Sequence, residues 1–282
     1  MRISRWWIAA LVLAACAPPQ QAAEAQSVTP AASLFAEAPS QQWRLPRELR
    51  EISGLATTPD GRLFGHDDEV AVIYEIDARA GRIVKAFALG EPWVRGDFEG
   101  LAIAPSGAFW LSTSDGRVYR FQEGADGANV AYEAFDTGLG ETCEIEGLAY
   151  LPAEESLIVA CKQNHARGMR HTVSLYLWSP AGGLRQWIAL PEAEIAAAAG
   201  VRQFHPSSVE YDAASGRVLL LSANDNALAE LTRDGALVSA RALTREHVQA
   251  EGMAVLADGS LAVADEAAGG RALLSIFPRV GQ

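Results

Sequence analysis

The sequence predicts an all-β chain folded as a β-propeller of five four-stranded blades, with six blades as the alternative. Three observations predict it. A motif built on Gly-Leu-Ala recurs along the chain. Each recurrence opens the same succession of turns and apolar runs. The last recurrence stops one strand short, while an unclaimed strand precedes the first.

The copies are Glu51-Ile-Ser-Gly-Leu-Ala, Asp97-Phe-Glu-Gly-Leu-Ala, Glu144-Ile-Glu-Gly-Leu-Ala, a degenerate Pro206-Ser-Ser-Val-Glu, and Ala250-Glu-Gly-Met-Ala. Their anchors, Gly54, Gly100, Gly147, Ser208 and Gly252, lie 46, 47, 61 and 44 residues apart. Each copy begins a first strand lining a central channel, where glycine allows close backbone approach. A turn follows, as at Pro59-Asp-Gly61 or Asp258-Gly259. Next comes a second apolar run, such as Phe109-Trp-Leu-Ser or Val218-Leu-Leu-Leu-Ser. These runs are apolar throughout because a blade is stacked on both faces. A polar tip and an alternating third run come next, for example Val72-Ile-Tyr-Glu-Ile. A fourth run, such as Ile83-Val-Lys-Ala-Phe, completes the set. The fifth copy lacks it, and Gln42-Trp-Arg-Leu45 can supply it, so that the two ends of the chain close the ring in one blade. The long third interval holds Pro191-Glu-Ala-Glu-Ile-Ala-Ala-Ala-Ala-Gly200, read as a short inserted helix with acids in its first turn and glycine at its end.

Ahead of the propeller, Met1-Arg-Ile-Ser-Arg5 is a basic leader and Trp6 to Ala15 an apolar run too short to cross a bilayer. Leu13-Ala14-Ala15-Cys16 resembles the bacterial lipobox. The expected organisation is a signal peptide over 1–15, a lipidated Cys16 with a Pro-, Ala- and Gln-rich tether over 16–41, and the propeller over 42–282. Ala17, rather than Asp, follows the cysteine, which places the anchored protein on the periplasmic side of the outer membrane of a Gram-negative bacterium. Lipidation of Cys16 leaves Cys143 and Cys161, which an oxidising compartment permits to pair as a disulfide; two free buried thiols are the alternative.

With a net charge of −12, the chain offers no basic surface for nucleic acid. Its 282 residues, 49% hydrophobic, suffice for one large core, and a monomer is expected.

The repeat also gathers acid. In an antiparallel pair, the start of one strand lies beside the end of the next. Glu51, Asp97, Glu99, Glu144, Glu146 and Glu251 precede first strands; Asp67, Asp68, Asp115, Asp225, Asp265 and Glu266 follow second strands. Both groups belong to one mouth of the channel. Crowded carboxylates raise one another's pKa, and a hard cation such as Ca²⁺ relieves that with six to eight oxygen ligands. Capping of backbone N–H groups by individual residues is the competing use. His66, beside Asp67 and Asp68, is an acid–base candidate by position; His205 with Ser207 and Ser208 reads as a loop histidine with capping serines, since no Gly-x-Ser-x-Gly elbow is present.

Arg50-Glu-Ile-Ser-Gly-Leu, Asp97-Phe-Glu-Gly-Leu, Ile145-Glu-Gly-Leu-Ala, Val218-Leu-Leu-Leu-Ser and Ala250-Glu-Gly-Met-Ala, in that order, resemble the SdiA-regulated (YjiK-like) family of bacterial β-propellers. The pattern is also similar to phytase-like, or esterase-like, propellers. The resemblance implies an exported propeller, with cation binding as an expectation and no firmly assigned activity. This chain departs from it after the second strands, where copies two to four read Ser-Asp-Gly, Lys-Gln-Asn and Asn-Asp-Asn in place of Asp-Glu. Three functions remain open: a lipid-anchored propeller binding Ca²⁺ or a small ligand at its acidic mouth without catalysis, a metal-dependent phosphatase- or esterase-like hydrolase, and an interaction scaffold using the helix near Glu192 to Ala199.

Overall fold

The computed structural model describes residues 33–281; the leader, the apolar run and Cys16 lie outside them. The chain first forms β1 (Gln41–Arg44), then blade one from β2 (Ile52–Thr57), β3 (Leu63–Asp67), β4 (Val72–Asp77) and β5 (Arg82–Leu89). Blade two consists of β6 (Phe98–Ile103), β7 (Phe109–Thr113), β8 (Arg117–Phe121) and β10 (Tyr132–Asp136), and the intervening β9 (Asn129–Val130) adds itself in parallel to β5. Blade three is β11 (Cys143–Leu151), β12 (Ser156–Asn164), β13 (Thr172–Ser179) and β14 (Gly183–Pro191). After α1 (Glu192–Ala199) comes blade four: β15 (Ser208–Asp212), β16 (Arg217–Ser222), β17 (Ala227–Leu231) and β18 (Leu237–Ala242). Blade five is β19 (Ala250–Val255), β20 (Leu261–Asp265) and β21 (Leu273–Phe277), with β1 as its outer strand.

The five-bladed ring is therefore closed as the terminal sequences require: Trp43 lies opposite Leu274, and its indole N–H donates to the Ala78 carbonyl at 3.1 Å. Contact with the domain starts upstream of the boundary expected at residue 42. Phe35 is 2% exposed, and Ser33 and the Leu34 amide both donate to the Glu230 carboxylate. An aromatic alone in a Pro- and Ala-rich stretch carries no periodicity, so sequence pattern cannot place it; a gap at the edge of blades four and five does. That contact is at the face opposite the acidic mouth, where β20 begins and β21 ends.

Stacking between blades supplies the core. Phe64 and Phe109 meet edge to face, with centroids 5.1 Å apart, across blades one and two. Trp110, Phe135 and Trp178 join blades two and three. The anchor glycines set how closely inner strands approach. A Cβ at Gly100 would lie 2.7 Å from the Leu148 amide nitrogen, and one at Gly147 would lie 2.8 Å from that of Val209. Cys143 and Cys161 are disulfide-bonded, with Cα atoms 5.4 Å apart, tying the start of β11 to β12. Two bulges in this pair absorb the offset between them: Cys143 is opposite Asn164, and Ile145 opposite Cys161.

Candidate functional site at the channel mouth

Inner strands begin at the mouth, and four of them begin irregularly. The ladder skips residues between Ile52 and Leu55, Phe98 and Gly100, Ile145 and Gly147, and Ala250 and Gly252. Each skip is a β-bulge, which leaves a residue unpaired and re-aims its side chain. The residues left over are Ser53 (with Gly54), Glu99, Glu146 and Glu251. In blade four, pairing starts at Ser208 without a bulge, and Ser207 stands at the corresponding position. The motif glutamates are thus the bulged residues, presented toward the axis by the same backbone device three times.

These three carboxyls are brought together with Lys162, at the end of β12. Its ammonium donates to Glu146 Oε1 at 2.7 Å and lies 3.7 Å from Glu144 Oε1. Ser53 Oγ is 3.5 Å from Glu99 Oε2. Burial, then the charges of Glu146, Asp97 and Glu251, push Glu99 up to about 9. Burial raises Glu146 to about 7 against the pull of Lys162. Glu251 is raised by burial, again opposed by Lys162. Burial works against the Lys162 ammonium, but the neighbouring glutamates, Glu146 first, hold its pKa above the usual lysine value. The mouth thus sets one internal ammonium against three carboxyls whose charged forms burial and mutual repulsion disfavour, Glu99 most.

A second acidic group sits at the blade one–blade five seam. Burial, a hydrogen bond with Glu51, and the charges of Glu51, Glu251 and Asp68 push Glu266 up to about 8. Gln249 donates to the same carboxyl, and Arg50 pairs with Glu51 at 2.9 Å. Burial, then Asp67 and Glu51, raise Asp68 to about 6.

The remaining acids serve the backbone or a neighbour. Asp67 accepts from the Glu69 and Val70 amides, each at 3.0 Å. Asp97 accepts from Ser114 and Asp115 from Thr113, each at 2.5 Å. Asp265, 1% exposed, is bonded to the buried His247 at 2.7 Å. Sequence reasoning put all twelve acids at one mouth; it had no means to separate caps from free carboxyls, because both uses select the same residues. It also missed Lys162 as the counter-charge, although Lys162-Gln-Asn stands where other copies carry Asp. His66 is corrected: its ring is fully buried against Gly54 and burial lowers its pKa to about 4, so it is not a solvent-accessible acid–base group. The apolar side of α1, Ile195, Ala196 and Ala199, is buried within the domain.

Among the described residues, no three or more His, Cys, Asp and Glu side chains are arranged to hold a metal ion. Oxygen donors suit Ca²⁺ by chemistry. As they stand, however, the glutamates are arranged around an ammonium.

A family model described as SdiA-regulated matches residues 37–268. No curated protein matches the chain. Among solved structures, it is similar to a luciferin-regenerating enzyme at TM-score 0.56 and 10% identity, over 86% of this chain and 96% of that one. It is also similar to Myxococcus xanthus glutaminyl cyclase at TM-score 0.54 and 12% identity, over 85% and 94%. The PQQ-bound aldose sugar dehydrogenase from Streptomyces coelicolor gives TM-score 0.52 and 15% identity, over 85% and 99%. At these identities the likeness shows the fold alone.

Proposed function

The chain belongs to the SdiA-regulated family, and from that premise we propose that it is an exported, lipid-anchored propeller that binds positive charge at its channel mouth without catalysis. The charge is carried by Ca²⁺ or by the cationic group of a small ligand. One observation carries the reading: among the described residues the one lysine at the mouth, Lys162, is hydrogen-bonded to Glu146, while Glu99 and Glu251, set out by the same bulge, feel its charge but have no ion-pair partner of their own. A bound cation would offset the burial and mutual repulsion that raise both carboxyls. Anchoring through Cys16 leaves the mouth facing away from the point where the chain joins the fold.

Isothermal titration of the purified domain with CaCl₂ and, separately, methylammonium chloride tests this. Binding of at least one is expected, weakened about tenfold or more by Glu99→Gln. No heat and no thermal shift with either contradicts it. A second reading, a hydrolase of phosphate or carboxylic esters, draws on Glu146, whose carboxyl at about 7 suits proton exchange near neutrality. It requires turnover of such esters in the presence of Ca²⁺, abolished by Glu146→Gln; a silent substrate panel removes it.

A further inference from the structure

On the mouth side, between blades three and four, lies a separate cavity of about 570 Å³ lined by Gln163, His165, Arg170, His171, Glu192 and His205, among others. Three segments build it: the connection from β12 to β13, the start of α1, and the chain leading into β15. Glu192 fastens them. Its amide donates to the His171 carbonyl at 3.0 Å, and its Oε1 accepts from the Phe204 amide at 3.3 Å. The cavity is therefore a built feature of the interval that the repeat left over.

Two features distinguish its chemistry from that of the acidic mouth. The first is charge. Arg167, Arg170 and Arg202 stand on the two loops around it, and none has a carboxylate partner among the described residues. Of the three, Arg170 lines the cavity itself, while the lining carboxylate, Glu192, has its Oε2 3.7 Å from His171 Nδ1 and its Oε1 on the Phe204 amide, so both its oxygens are engaged by the walls. The second is His205. Its Nδ1 lies 3.0 Å from Asp225 Oδ2, and Asp225 is itself held by Ser222 Oγ at 3.1 Å and the His205 amide at 3.0 Å. A carboxylate on Nδ1 fixes the tautomer with its proton there and orients the ring. Among the described residues Nε2 makes no hydrogen bond, and the side chain is 23% exposed.

We propose that this cavity binds the oxyanion end of a small ligand, a carboxylate or a phosphate. Arg170 supplies fixed positive charge through a planar donor fork. His205, backed by Asp225, supplies a hydrogen-bond donor at Nε2 once protonated, and Glu192 keeps the walls in place. The site is independent of the cation site at the mouth, and either stands if the other fails.

The test uses the folded domain with two probes, inorganic phosphate and succinate, read by isothermal titration and by the imidazole resonances of the histidines. Binding on the order of 1 mM is expected for one or both probes, the scale of an ion pair with a few hydrogen bonds. It shifts the His205 resonances and weakens at least fivefold in Arg170→Ala. Phosphate alone, or succinate alone, identifies the anion class. Arg170 is exposed on a loop, so its replacement leaves the fold intact, and His205→Gln provides a second variant with the same expected loss. Absence of binding with both probes, or binding unchanged in Arg170→Ala with His205 unshifted, overturns the proposal.

Discussion

Replacing Gly100 or Gly147 by alanine is expected to lower the melting temperature by about 6–12 °C or to prevent folding. The added methyl meets main chain of the next blade, at 2.7 Å for Gly100 and 2.8 Å for Gly147, and neither contact is the end of a flexible side chain. Overpacking that can be relieved only by moving backbone costs about 3 kcal/mol, the upper end of the usual range, which for a domain of this size corresponds to the shift stated. A Cβ at Gly182, by contrast, meets only the Ser179 hydroxyl oxygen at 2.9 Å, which can rotate away. Gly182→Ala is expected to change stability by no more than about 0.5 kcal/mol. Thermal melts of the three variants check this, and equal shifts would mean that the anchor glycines are not what sets the spacing of the blades.

Lys162→Met is expected to be strongly destabilising at high pH and mildly so at low pH. Breaking a buried pair leaves an uncompensated charge, at a cost of about 3–5 kcal/mol. Here the charge can be removed by protonation. Glu146, already raised to about 7 with Lys162 present, moves higher without it. A carboxyl raised in the folded state binds more protons folded than unfolded, so stability is greatest at low pH. It falls as pH rises from the ordinary carboxylate value through the folded one. The variant should therefore approach wild type near pH 5 and diverge from it up to about pH 9. Wild type itself should lose stability over the same range, because burial and neighbouring carboxyls push Glu99 up to about 9 and Glu266 up to about 8. Glu146→Gln in the Lys162→Met background should flatten the difference. Melts across pH 5–9 measure it, and a pH-independent deficit would show that Lys162 acts through packing.

The blade count, the closing strand and the helix between blades three and four were legible because each leaves a local signal: a repeated glycine, a missing strand, acids followed by alanines. The site was legible only in outline. Glu99, Glu146 and Glu251 stand out as a repeated letter before glycine, but their exposure to the axis depends on the bulge, a register feature that no single strand displays. Lys162 and the His205–Asp225 pair were hidden for another reason. Both lie where the repeat breaks, and a reading organised by the repeat treats such positions as degenerate. β9 escaped notice because two residues make no pattern. The placement of Phe35 depends on a gap that only the assembled blades create.

The central claim is that the bulged glutamates hold positive charge, and the most direct measurement is density at the mouth of crystals soaked in Ca²⁺ or methylammonium. The account predicts a cation within ligand or hydrogen-bond distance of the Glu99 and Glu251 carboxylates in at least one soak, and its loss in Glu99→Gln crystals. A mouth free of added density in both soaks, with Lys162 still on Glu146, would contradict it.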